Sequence, residues 1–231
     1  MPRTWITALS KYSYPVTLSD YKRAGEFPGY FTRDIPGDRG STMEFEAYFR
    51  ARSAHSIEPY VEVAFWKLCG RKKRFEARVN DLVDHLRREG VTAIELRRAV
   101  DLFLGRPTKA NLSVLRALLD IKADVLALAL TFPAFVDPVR FPMVDKNTAG
   151  WVKEHHSDFS LGRAYTLTPF ALNYSSLHYN DFDNYLNWVH WCRETAQILS
   201  SKTDDMEWRA RDVEMAVFAA ARQGLSLNPL P

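Results

Sequence analysis

Residues 123–132 read Ala-Asp-Val-Leu-Ala-Leu-Ala-Leu-Thr-Phe, apolar on nearly every side. A helix without a polar face is stable only in the middle of other helices. The flanking sequence supplies them. Phe75, Val79, Leu82, Val83 and Leu86 recur at helical spacing, and Gly90 ends that helix. Leu96, Ala99, Val100, Phe103 and Leu104 predict another, stopped by Gly105 and Pro107. Leu112, Leu115, Leu118 and Leu119 predict a short one. Upstream, Ser41 or Thr42 can cap a helix from Met43 to about Ser53. Pro59 fits the first turn of the next, with Tyr60, Val63, Ala64 and Leu68 facing inward. Downstream, residues 145–156 read as helix, and Phe182, Tyr185, Leu186, Val189, Cys192, Ala196 and Leu199 mark one face of a long one. A final helix spans about 207–222, and the fold class is all-α.

Proline sets the interruptions. Those at 15, 28 and 36 leave residues 1–42 as a loop-rich segment with room for a short strand or helix. Residues 133–144 carry three prolines and predict an extended connection. Residues 157–180 form a polar and aromatic linker. The chain therefore divides into a loop-rich 1–42, a helical core 43–156, and a linker with C-terminal helices over 157–231. A chain of 231 residues suffices for one large domain or two lobes. Cys69 and Cys192 are the two cysteines, which excludes a zinc ribbon and a four-cysteine iron–sulfur cluster. They read as free thiols in a reducing compartment. No run of eighteen apolar residues and no leader-like start is present, so the expectation is a cytoplasmic monomer with no membrane partner. No cofactor is expected. The net charge of +3 permits a polyanion partner only where the basic residues cluster.

Two segments carry a resemblance. Leu118-Leu119-Asp120-Ile121-Lys122-Ala123-Asp124 sits between two helical periods, and Phe141-Pro-Met-Val-Asp145-Lys-Asn-Thr-Ala-Gly-Trp151 places one carboxylate before a helix. Gly105-Arg-Pro-Thr-Lys-Ala110 precedes both. Together they resemble the helix-hairpin-helix DNA glycosylase superfamily, of the endonuclease III and adenine glycosylase kind, over roughly residues 43–156. The resemblance implies a helical two-lobe fold with a hairpin at about 112–132 and an aspartate loop at 141–151. It implies duplex DNA as partner, extrusion of a damaged or mismatched base, and hydrolysis of the N-glycosidic bond. Asp145 takes the position of the family's catalytic carboxylate, which stabilises positive charge developing on the sugar. Glu46 falls where adenine glycosylases carry a catalytic glutamate.

The departures matter as much. The family hairpin has two glycines that bring backbone N–H groups close to a phosphate; Asp120 and Lys122 replace them here. The lysine that attacks the sugar in bifunctional members is Asp124. The implied enzyme is monofunctional with water as nucleophile, unless Lys122 or Lys146 supplies an amine.

Each candidate has a plainer reading. Asp145 fits an N-cap, and Glu46 fits a solvated helix position. Arg71, Lys72, Lys73 and Arg74, with Arg106, Lys109, Lys122 and Lys146, read as a phosphate-tracking surface or as a solvated face. Trp188, Trp191 and His55 are candidates for a base pocket, and the two tryptophans equally fit helix packing. Adjacent His155 and His156 point to different faces, so no metal site is expected. Two further functions fit the same sequence. One is a non-catalytic DNA-binding relative. The other is a helical protein-interaction module that uses the aromatic C-terminal segment.

Overall fold

The computed structural model describes residues 2–27, 31–69, 75–121, 126–160, 162–171, 181–203 and 206–230. Those residues form ten α-helices and one two-stranded ribbon. The helices are α1 (Arg3–Ser10), α2 (Arg39–Arg52), α3 (Glu58–Leu68), α4 (Phe75–Arg88), α5 (Ala93–Gly105), α6 (Lys109–Leu118), α7 (Leu126–Val136), α8 (Lys146–Ser160), α9 (Phe182–Ser200) and α10 (Ala210–Gln223). The all-α expectation holds. None of these helices is long and apolar enough to cross a membrane.

The chain divides into two units that are discontinuous in sequence. One comprises residues 14–122 and 131–136. Within it β1 (Val16–Thr17) pairs antiparallel with β2 (Asp34–Ile35), Val16 opposite Ile35. Gly37 is required there: its φ is +85°, and a Cβ would lie 2.1 Å from the Tyr14 carbonyl carbon. α3 packs on α4 and α5 on α6. Phe49, Tyr60, Phe132 and Phe135 share an aromatic core.

The other unit comprises residues 1–13, 123–130 and 137–231. Here α10 packs against α1, α8 and α9. Every residue of α10 from Ala210 to Ala220 is buried, including the ion-paired Arg211 and Glu214. α1 occupies part of the segment expected to be mostly loop, and it buries Trp5, Ala8 and Leu9.

Three boundaries correct the sequence reading, the smallest being that α8 runs on to Ser160, into the segment 157–180 expected to be linker. α2 begins at Arg39, and its cap is Asp38 rather than Ser41 or Thr42: Oδ1 of Asp38 accepts from Ser41 N at 2.7 Å. The helix thus gains a turn and carries Thr42, Phe45, Glu46 and Phe49 on its buried face. α7 continues through Pro133 to Val136, where an extended connection was expected. An internal proline costs about 3 kcal/mol in lost hydrogen bonding and ring clash. Burying Phe132, Ala134 and Phe135 completely offsets that loss.

Candidate active site around Asp145

Asp145 is delivered by an extended segment whose four preceding residues, Phe141 to Val144, are all buried. Backbone carbonyls in such a segment need donors. α9 supplies them within the same unit. Tyr185 Oη donates to Pro142 O at 3.1 Å, and Trp188 Nε1 donates to Met143 O at 2.9 Å. The position of Asp145 is therefore set by two aromatic side chains more than forty residues away in sequence.

Asp145 itself caps α8. Asn147 N and Thr148 N donate to its Oδ1 at 2.8 and 3.0 Å. Thr148 Oγ1 in turn accepts from Asp145 N at 2.9 Å. The capping reading is thus realised. The side chain is half-buried, and Oδ2 has no hydrogen-bond partner among the described residues. One oxygen holds the helix and the other is left for a reacting centre or for solvent.

A groove of about 540 Å³ starts one residue beyond Asp145. Lys146, Trp151, Glu154 and His155 of α8 line one side, and residues from Ala220 to Pro229 line the other. Among the described residues no group of three His, Cys, Asp or Glu side chains could hold a metal ion.

The other candidates fall as follows. Trp188 and Trp191 are core side chains, 1% and 0% exposed, stacked with their centroids 5.5 Å apart. Trp191 Nε1 donates to Phe159 O at 3.0 Å, so both indole N–H groups are committed. His55 is exposed in the turn after α2. Glu46 is fully buried, which overturns its reading as a solvated residue. Arg106 and Lys109 flank the start of α6, where Thr108 Oγ1 caps Asn111 N at 3.2 Å. Lys146 is the exposed first residue of α8. Arg71, Lys72, Lys73, Arg74, Lys122 and Asp124 lie outside the described residues. Of the remaining basic positions in α4 and α5, Arg87 pairs with Glu26, Arg88 with Glu89 and Arg97 with Asp101.

The first half of the hairpin is described. α6 ends in a Schellman motif: Ile121 N donates to Arg116 O and Asp120 N to Ala117 O. Asp120 sits in the left-handed region at φ +48°, where α4 and α10 end on Gly90 and Gly224 at φ +64°. The backbone keeps the turn that glycine usually makes, with a carboxylate attached.

Sequence reasoning missed Glu62. It lies on α3 with 1% exposure, and its Oε2 has no hydrogen-bond partner among the described residues. The available signal was a lone acid within Tyr60-Val-Glu-Val-Ala-Phe-Trp66.

Comparisons with protein-family models, curated proteins and solved structures find no match for the chain.

Proposed function

We propose that this protein binds duplex DNA, extrudes a damaged or mismatched base and hydrolyses its N-glycosidic bond. Asp145 would stabilise the oxocarbenium-like transition state, with water as nucleophile. The observation that carries this reading is the divided role of the Asp145 carboxylate. Oδ1 is held by two helix N–H groups while Oδ2 makes no hydrogen bond to the described residues. A carboxylate fixed in this way would have one oxygen available to a developing positive charge. The left-handed turn at Asp120 supports the reading, since the described first half of the hairpin makes the turn that glycine usually makes.

A second reading is a non-catalytic DNA-binding relative. The Asp120 carboxylate favours it, because that charge stands where the resembling hairpins approach a phosphate. The ion pairs of Arg87, Arg88 and Arg97 also leave less free positive charge for a backbone.

The test is single-turnover base release from duplexes that each carry one lesion or mismatch. Wild-type protein is expected to free a base without cutting the strand. Asp145→Asn keeps an N-cap acceptor but removes the charge. It should slow release by at least about 100-fold and leave duplex affinity within about threefold. Binding should weaken with salt in proportion to the phosphates contacted. Salt-dependent binding with no release from any duplex would select the non-catalytic reading. Absence of salt-dependent duplex binding would refute both.

A further inference from the structure

The 14–122 unit holds a small pocket between α2, α3 and the β2 segment, with Glu62 as its buried carboxyl. Phe45 is buried with it, while Arg33, Asp34 and Glu44 are exposed at the rim. We propose that this pocket binds a primary ammonium group, with Glu62 as the anion that pairs with it.

Three observations converge. First, Glu62 is 1% exposed and its Oε2 atom has no hydrogen-bond partner among the described residues. The Tyr48 hydroxyl lies close enough to the carboxyl to favour its ionised form by hydrogen bonding, yet Oε2 stays open, and a buried acceptor left open is destabilising until a donor enters. Arg33 is not that donor, since its guanidinium lies over the Tyr48 ring, 5.3 Å from the centroid, and makes no ion pair among the described residues. Second, the charge is one-sided. Asp34, Glu44 and Glu62 oppose Arg33 alone among the lining residues, which favours a cation. Third, the size is restrictive. The cavity is about 80 Å³, enough for two or three water molecules or one methylammonium, and too small to enclose a sugar or a base.

The charged and titratable neighbours are Arg33 just before β2, Asp34 in β2, Glu44 and Tyr48 on α2, and Glu58 on α3. Burial pushes the Glu62 carboxyl up to about 7; Tyr48 and Arg33 oppose the shift and Glu58 adds to it. The ammonium pairs with the ionised form, so its affinity should be about tenfold higher at pH 8 than at pH 6.

The experiment titrates the full chain with methylammonium chloride, followed by calorimetry and amide chemical shifts at both pH values. Potassium chloride at matched ionic strength is the control. A second arm uses 1,4-diaminobutane. Saturable methylammonium binding with the tenfold pH ratio, lost in Glu62→Gln, is the expected result. Equal affinity for the two amines would assign the site to a free head group. Tighter diaminobutane binding would assign it to an ammonium at the end of a chain. Asp34→Asn combined with Glu44→Gln removes rim charge without touching the buried group, and should weaken binding several-fold. That double variant and the wild-type pH ratio decide the matter should Glu62→Gln fail to fold. No saturation beyond potassium chloride overturns the proposal. So does affinity indifferent to the substitutions, or preferential binding of acetate.

Discussion

Glu62 is an acid inside a helix that buries nine of its eleven residues, so its protonation is governed by solvation. Burial raises its pKa from 4.5 to about 7. The folded state therefore holds a proton that the unfolded state releases above pH ~4.5. The contribution to stability is fully present below that pH and declines as pH rises to about 7, by about 3 kcal/mol in all. Glu62→Gln should remove this dependence. Urea denaturation is expected to find the variant more stable than wild type at pH 8 and nearly equal at pH 4.5. Parallel pH profiles for the two proteins would refute the assignment. The residue was visible in the sequence as a lone acid in an apolar run. Its neighbours were not, because Arg33, Glu44 and Tyr48 come from segments whose pairing with α3 is set by packing. Glu46 shows the converse. Its helical face depends on where α2 starts, and the earlier start at Arg39 belongs to a helix that buries Thr42, Phe45, Glu46 and Phe49 together.

Helix existence was legible wherever apolar residues recurred at helical spacing, and helix ends were legible less often. α5 is bounded by a Thr92–Glu95 capping box and ends at Gly105, close to the pattern that predicted it. α7 overran its expected end because proline propensity is a local quantity, whereas the burial of Phe132 and Phe135 depends on helices from elsewhere in the chain. At α8 the sequence left open whether Asp145 was a cap or a catalytic group, and the geometry allows both roles at once. They separate by substitution. Asp145→Ala removes the acceptor for Asn147 N and Thr148 N and should cost about 1 kcal/mol of stability. Asp145→Asn should cost less than about half of that, since an amide oxygen still caps. Thermal or urea unfolding checks the pair. Equal losses would mean that the charge, and not the cap, holds the start of α8.

At the scale of the molecule, the first helix belongs with the last. α1 packs on α10 in the unit that also contains α8 and α9. Local patterning could not reveal this, because a short helix at residues 3–10 carries no mark of a partner 200 residues on. Trp5 is the residue that fixes it. Its ring is fully buried, with centroids 6.2 Å from those of Phe159 and Trp191, and its Nε1 donates to Asn228 O at 2.9 Å. Gln223 Nε2 and Lys11 O add a second link at 2.8 Å. Trp5→Ala would open a cavity beside Phe159 and Trp191 and leave the Asn228 carbonyl without its donor. The expected loss is about 3–5 kcal/mol, a large share of the stability of a domain this size. Hydrogen exchange should show the loss first in the amides of α1, in the last turn of α10 where Gln223 bonds Lys11 O, and around Asn228, which Trp5 holds. Trp5→Phe keeps most of the volume and loses the hydrogen bond, so its stability should fall between those of wild type and Trp5→Ala. A loss below about 1 kcal/mol for Trp5→Ala would mean that α1 lies on this unit without holding it together.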